Sequence, residues 1–130
     1  QTVLIVRRPA DAMLGGLWEF PGGVRLPDES AASACLRQIR ETVGLDVSID
    51  SRLTTIRHAY THFKITADVY VCCYAGGRVR RNGPAAHRWV PVTVLSRYPF
   101  PGSHHKFIHL LNDLDGRLSE DSALSGMGEN

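Results

Sequence analysis

The chain is short of cysteine, of excess charge and of long apolar runs, and each shortage closes off a class of protein. Three cysteines in 130 residues cannot build a disulfide framework. Cys72 and Cys73 are adjacent in a strand-like run, so they point to opposite faces and share neither a bridge nor a metal. Cys35 falls in a helical pattern and reads as a small core residue. This usage fits a reducing, intracellular compartment. The net charge is only +2, so any nucleic-acid contact must come from a local patch. No apolar stretch is long enough to cross a membrane, no signal peptide is visible, and no internal repeat occurs. The chain does not begin with Met and enters a strand almost at once, as expected of a piece of a longer protein.

What is present is enough sequence for one domain with a real core. Residues 1–116 are expected to form that domain, and residues 117–130, with little to bury, a flexible polar tail. Val3–Val6 is a continuous aliphatic run, a buried strand. Leu17–Phe20 is a second, short strand with Trp18 and Phe20 on one face, held between two glycine pairs in GGLWEFPGG. The first pair is expected to let the backbone approach a partner, the second to open a loop. Trp18 reads as core packing. A helix is predicted over Ser30–Val43, with an apolar stripe of Ala32, Leu36, Ile39 and Val43 and with Gly44 at its C-terminus. Asp28, Glu29 and Ser30 supply cap chemistry at its start.

Leu53–Tyr60 and Phe63–Tyr74 are rich in β-branched and aromatic residues and predict an antiparallel hairpin with AYTHF at its tip. AGGRVRRNGPAA is a polar loop, and HRWVPV a last short strand. Ser103 is expected to cap a second helix with Phe107, Leu110, Leu111 and Leu114 on one stripe and Gly116 beyond it. The mixture is α+β, not a doubly wound parallel sheet.

One spacing is long and gapless. Gly23 is followed by five residues and Glu29, then by seven residues and Arg37, and RQIRETVGL runs on to Leu45. This resembles the Nudix box, G-x5-E-x7-R-E-U-x-E-E-x-G-U with U aliphatic. Gly23, Glu29, Arg37, Ile39, Glu41, Gly44 and Leu45 match; Gln38 and Thr42 stand where the family has Glu. The resemblance implies an α/β/α sandwich with a mixed sheet and two main helices. Positions 38, 41 and 42 share one helix face. In active Nudix hydrolases that face holds Mg²⁺ through carboxylates, and here it offers Glu41 alone. Gly23, Glu29, Arg37, Glu41 and Gly44 are therefore expected to act as scaffold, with Glu29 and Arg37 paired, and the domain itself to be non-catalytic.

RRPADAMLGGLWEFPGG, RHAYTHFKI and RWVPVTVLSRYPFPGSHHKFI are similar to segments of the C-terminal domain of A/G-specific adenine DNA glycosylases, the MutY family, over roughly residues 3–112. That resemblance implies recognition of 8-oxoguanine opposite adenine in double-stranded DNA, within a base-excision-repair hydrolase. Excision and an iron–sulfur cluster would belong to an N-terminal domain of the same chain. Tyr60, Thr61 and His62 fall on the family's Phe-Ser-His loop, which reads the lesion. A hydroxyl at Thr61 is both donor and acceptor, suited to the edge of 8-oxoguanine. Tyr60 keeps a flat face for stacking. Arg78, Arg80, Arg81 and Lys106 are candidate contacts to the DNA backbone. The resemblance further implies a monomer with no cofactor of its own and no membrane contact. The alternative is a free-standing Nudix pyrophosphohydrolase on oxidised nucleoside triphosphates, with Mg²⁺ at Glu41.

Overall fold

The computed structural model describes residues 2–114 and the backbone of 122–125. The elements in order are β1 (Thr2–Arg7), β2 (Trp18–Glu19), α1 (Ala31–Val43), β3 (Asp46–Ala59), β4 (Lys64–Gly76), β5 (Ala86–Pro91), a 3-10 helix (Val92–Arg97), α2 (Gly102–Leu114) and β6 (Ser122–Ser125). β1 is central because both of its faces are buried. Val3 and Ile5 join one apolar cluster with Phe107 and Leu111 of α2. Leu4 and Val6 join the other with Cys35, Ile39 and Val43 of α1. An unbroken aliphatic run is what such a doubly covered strand requires. The helix–strand–helix layering agrees with the sandwich expected from the sequence.

The expected mixed sheet resolves differently. Among the described residues the strands form two three-stranded sheets, in the orders β2-β1-β5 and β3-β4-β6. Every pair is antiparallel. β3 starts at Asp46 rather than Leu53, and its pairing with β4 carries register shifts at Ile49/Ser51 and Arg52/Thr54. Such bulges break the period of two that a sequence pattern relies on. β6 adds an edge to β4 from a stretch expected to be tail. Gly116 and the rest of that stretch lie outside the described residues.

α1 follows its predicted bounds. Ser30 is the N-cap, its hydroxyl accepting from Ser33 N–H, and Gly44 ends the helix in the left-handed conformation. The buried stripe is turned by one residue from the prediction. Cys35, Ile39 and Val43 face inward with Ala34, while Ala32 and Leu36 are half-buried. Positions 35, 39 and 43 lie one turn apart on a single line. Cys35 Sγ sits 3.8 Å from Cys72 Sγ across that contact, and Cys73 faces the other way, half-buried.

The glycine pair ahead of β2 serves the loop itself. A Cβ at Gly15 would stand 2.4 Å from the carbonyl oxygen of Ala10. The close approach at Gly15 is thus to the Pro9 and Ala10 backbone of the same loop. Trp18 is core, edge-on to Tyr98 with centroids 5.5 Å apart. Ser103 is not a cap. It lies inside the first turn of α2, buried, because its hydroxyl is engaged by Tyr60.

Candidate functional site

A pocket of about 300 Å³ opens where β2, the box loop, the β3–β4 hairpin tip and the start of α2 converge. Arg8 and Glu19 line one side, Gly22–Val24 the floor, Tyr60 and Phe63 the hairpin side, and Ser103 and His104 the helix side. The volume suits a single planar ring system. Tyr60 and Phe63 stack at 4.7 Å, and His58 meets Tyr60 edge-on at 4.4 Å. Phe20 stacks on Phe100, at 5.5 Å, and on His104, at 5.8 Å, and those two rings lie 5.9 Å apart, so the three form one cluster.

The polar groups of the pocket are tied to one another. Arg8 Nη1 donates to both oxygens of Glu19, at 3.1 and 3.3 Å, and its Nε donates to Met13 O at 2.6 Å. Burial pushes the Glu19 carboxyl up, against the pull of Arg8. Tyr60 Oη donates to Ser103 Oγ at 2.8 Å and accepts from Ser103 N–H at 3.0 Å. His104 Nε2 accepts from Phe20 N–H at 3.3 Å, and its Nδ1 lies 3.4 Å from Ser103 Oγ. Burial lowers the His104 pKa to about 3, so its ring is neutral at pH 7. His58 is also pushed down, by burial and by Lys106, and its Nδ1 has no hydrogen-bond partner.

Beside the pocket, Arg37 gathers the box. Its Nε and Nη2 donate to the two oxygens of Glu29 at 2.7 and 2.8 Å, Nη2 also to Val24 O at 3.1 Å, and Nη1 to Glu41 at 3.1 Å. With its amide oxygen turned toward Arg37, Gln38 accepts from Nη1 at 2.9 Å. Every N–H of the guanidinium is then used. Thr42 Oγ1 donates to Gln38 O at 2.5 Å. The box face thus offers one carboxylate, Glu41, already paired with Arg37. Among the described residues no group of three His, Cys, Asp or Glu side chains could hold a metal ion. Glu41 is thus the one hard carboxylate ligand that the box face could offer Mg²⁺, which is commonly held by one or two carboxylates together with substrate phosphates.

The predicted site residues divide. Tyr60 lines the pocket; Thr61 and His62 are exposed on the hairpin tip beside it and are not part of its wall. Arg78, Arg80 and Arg81 are exposed on a loop pinned to the end of α1, where Arg80 N–H and Asn82 N–H donate to the carbonyls of Val43 and Thr42 at 2.8 and 2.9 Å. Lys106 is exposed and donates to Arg57 O. Arg8, Glu19, Phe63 and His104 carry no expectation of a site from the sequence, and Ser103 carries only that of a helix cap. Only Glu19 carried a signal, since alternation sets it on the face opposite Trp18 and Phe20.

Among the described residues no helix is long and apolar enough to cross a membrane. The fold and this pocket define a mixed α+β domain with antiparallel sheets, a box helix and a cleft of about 300 Å³ beside it. The chain belongs to the NUDIX domain family, which matches residues 1–110. It is 36% identical over 69 residues to an 8-oxo-dGTP diphosphatase of Proteus vulgaris, 53% of this chain and 62% of that enzyme. It is 31% identical over 90 residues to the adenine DNA glycosylase of Homo sapiens, 68% of this chain and 16% of that protein. The chain thus spans less than two thirds of either relative. In fold it is similar to the solution structure of the E. coli ORF135 protein, with a TM-score of 0.74 at 23% identity, covering 92% of this chain and 86% of that one. It is similar also to the crystal structure of a MutT protein from Methanosarcina mazei Go1, with a TM-score of 0.77 at 22% identity, covering 88% and 85%.

Proposed function

We propose that this domain binds 8-oxoguanine in DNA, as the lesion-reading part of an adenine DNA glycosylase, with the base held at the pocket between the hairpin tip and α2. The observation that carries this reading is the state of the box. Arg37 takes up Glu29 and Glu41, Gln38 and Thr42 are neutral, and the base-sized pocket beside them remains open. Fewer carboxylates on the box face weigh against diphosphate hydrolysis, while the open pocket supports base recognition. Tyr60 supplies a stacking face, and Thr61 and His62, exposed on the hairpin tip, would meet the lesion strand. Arg78, Arg80 and Arg81 supply backbone affinity, and DNA containing 8-oxoguanine opposite adenine is the partner.

A second reading is favoured by the higher identity to the Proteus vulgaris diphosphatase. In it the chain hydrolyses oxidised nucleoside triphosphates with Mg²⁺ at Glu41. One experiment separates the two: release of pyrophosphate from 8-oxo-dGTP with Mg²⁺, run beside binding to duplexes with 8-oxoguanine or guanine opposite adenine. The first reading expects no turnover and preferred binding to the lesion duplex. Turnover that disappears in Glu41→Gln replaces it with the second.

A further inference from the structure

Two hydroxyls at the α2 end of the pocket share one hydrogen bond, so one of their hydrogens is left over. Tyr60 Oη donates to Ser103 Oγ at 2.8 Å, while Ser103 N–H occupies Tyr60 Oη at 3.0 Å. The remaining neighbour of Oγ is His104 Nδ1 at 3.4 Å. What His104 does there is set from its other side. Nε2 accepts from the Phe20 backbone N–H, so a neutral ring carries its hydrogen on Nδ1 and points it at Oγ. Both lone pairs of Oγ are then taken, one by Tyr60 and one by His104. Ser103 is 2% exposed, and it lines the pocket, so its own hydrogen faces the pocket interior.

We propose that His104 is a positioning residue that fixes the polarity of the Tyr60–Ser103 pair, so that Ser103 presents a hydroxyl donor, and no acceptor, to the ligand. This rests on the base-binding reading and deepens it. The ligand class is a planar base with a carbonyl oxygen facing α2. A base with an amino group at that place is rejected, because its donor meets a donor. An 8-oxopurine has a carbonyl at C8, whereas an 8-aminopurine has a donor there. The Phe20 amide lies immediately after β2, between that strand and the box loop, so the course of the chain there sets the polarity of the pocket. Burial keeps the ring neutral through the physiological range, which holds the polarity constant.

The test has two arms. In the first, the two nitrogens of His104 are assigned by 15N–1H NMR at pH 7, and the hydrogen is expected on Nδ1. A hydrogen on Nε2 overturns the proposal whatever the ligand. In the second, 8-oxo-dGMP and 8-amino-dGMP are titrated into wild type, Ser103→Ala and His104→Phe. Wild type is expected to favour 8-oxo-dGMP by about tenfold, the scale of one desolvated hydrogen bond. Ser103→Ala should bring the two ligands close to parity by weakening 8-oxo-dGMP. His104→Phe frees a lone pair on Oγ and should bring them together by strengthening 8-amino-dGMP. A merely structural role would weaken both ligands alike. If wild type binds 8-oxo-dGMP and both variants keep its preference, the polarity assignment is wrong and the base-binding reading stands. If wild type binds neither nucleotide, the polarity proposal fails, while the base-binding reading is decided by the duplex measurements.

Discussion

Glu29 grips Arg37 through both carboxylate oxygens, at 2.7 and 2.8 Å, and through the same side chain accepts the Leu26 amide at 3.0 Å. One carboxylate thereby closes the box loop onto α1. The hydrogen bonds from Arg37, then the one from Leu26, lower the Glu29 pKa from 4.5 to about 2. A carboxyl depressed on folding contributes stability that is complete above its unfolded pKa and is lost as the pH falls through the folded one. Thermal melts of wild type should therefore drop more steeply than those of Glu29→Gln between pH 4.5 and 2, and the two should run parallel above that window. Equal slopes across the window would mean that the pair contributes nothing to folding.

Gly23 and Gln38 offer a second measurement on the same loop. A Cβ at Gly23 would stand 2.5 Å from the Gln38 amide carbon. Gly23→Ala should displace that amide, the far end of a flexible side chain, break its bond to Arg37 and destabilise the domain by about 1 kcal/mol. In a Gln38→Ala background the space is vacant, and the cost of Gly23→Ala should fall below about 0.5 kcal/mol. Denaturant unfolding of the four proteins gives the coupling. Additive effects would place the role of Gly23 in its backbone rather than in this contact.

The box was legible because its spacing is local: a loop and one helix carry every member, and each lies where its neighbours in sequence require. The doubly buried β1 was legible for a similar reason, since alternation is absent from a strand with two covered faces. The pocket was not. Arg8 and Glu19 meet across the local β1–β2 pair, but Tyr60 and Ser103 come from distant segments that join them only in the folded domain. Ser103 has the chemistry of a cap and sits where a helix begins. Nothing nearby in sequence shows that Tyr60, 43 positions earlier, claims its hydroxyl instead. On α1 the buried position is Cys35 rather than Leu36, and its thiol packs 3.8 Å from that of Cys72 on β4.

His104 gives the fold an acid limit of its own. Its pKa is lowered by burial, then by His105 and Arg8, from 6.5 to about 3. The unfolded chain therefore binds a proton that the native state refuses, and stability falls as the pH drops from about 6.5 toward 3. The loss should reach a few kcal/mol, on the order of what several units of pKa represent. His104→Phe should be less stable than wild type at pH 7 by about 1–3 kcal/mol, because the buried Phe20 N–H loses its acceptor. Its stability should be flatter between pH 6.5 and 4.5, above the range where Glu29 titrates. Urea unfolding at a series of pH values measures both effects, and a variant whose curve stays parallel to wild type would remove His104 as the source.

Discrimination and general affinity should separate between the hairpin tip and the arginine loop. Tyr60 lines the pocket and Thr61 sits on its rim, so Tyr60→Ala and Thr61→Ala should each weaken binding to 8-oxoguanine opposite adenine by about 1–3 kcal/mol. Binding to guanine opposite adenine should change less. Arg80 and Arg81 lie outside the pocket, with exposed side chains on a loop fastened by its backbone to α1. Removing their charges leaves that fastening in place. The double Arg80→Gln, Arg81→Gln variant should weaken both duplexes alike, because phosphate contacts carry no information about the base. It should also flatten the dependence of log K on log salt by roughly one unit per lost contact. Binding isotherms on the two duplexes at two salt concentrations supply every quantity needed. Equal losses on both duplexes for Tyr60→Ala and Thr61→Ala would move the reading of the lesion away from the hairpin tip, and would leave Ser103 as the pocket's discriminating hydroxyl.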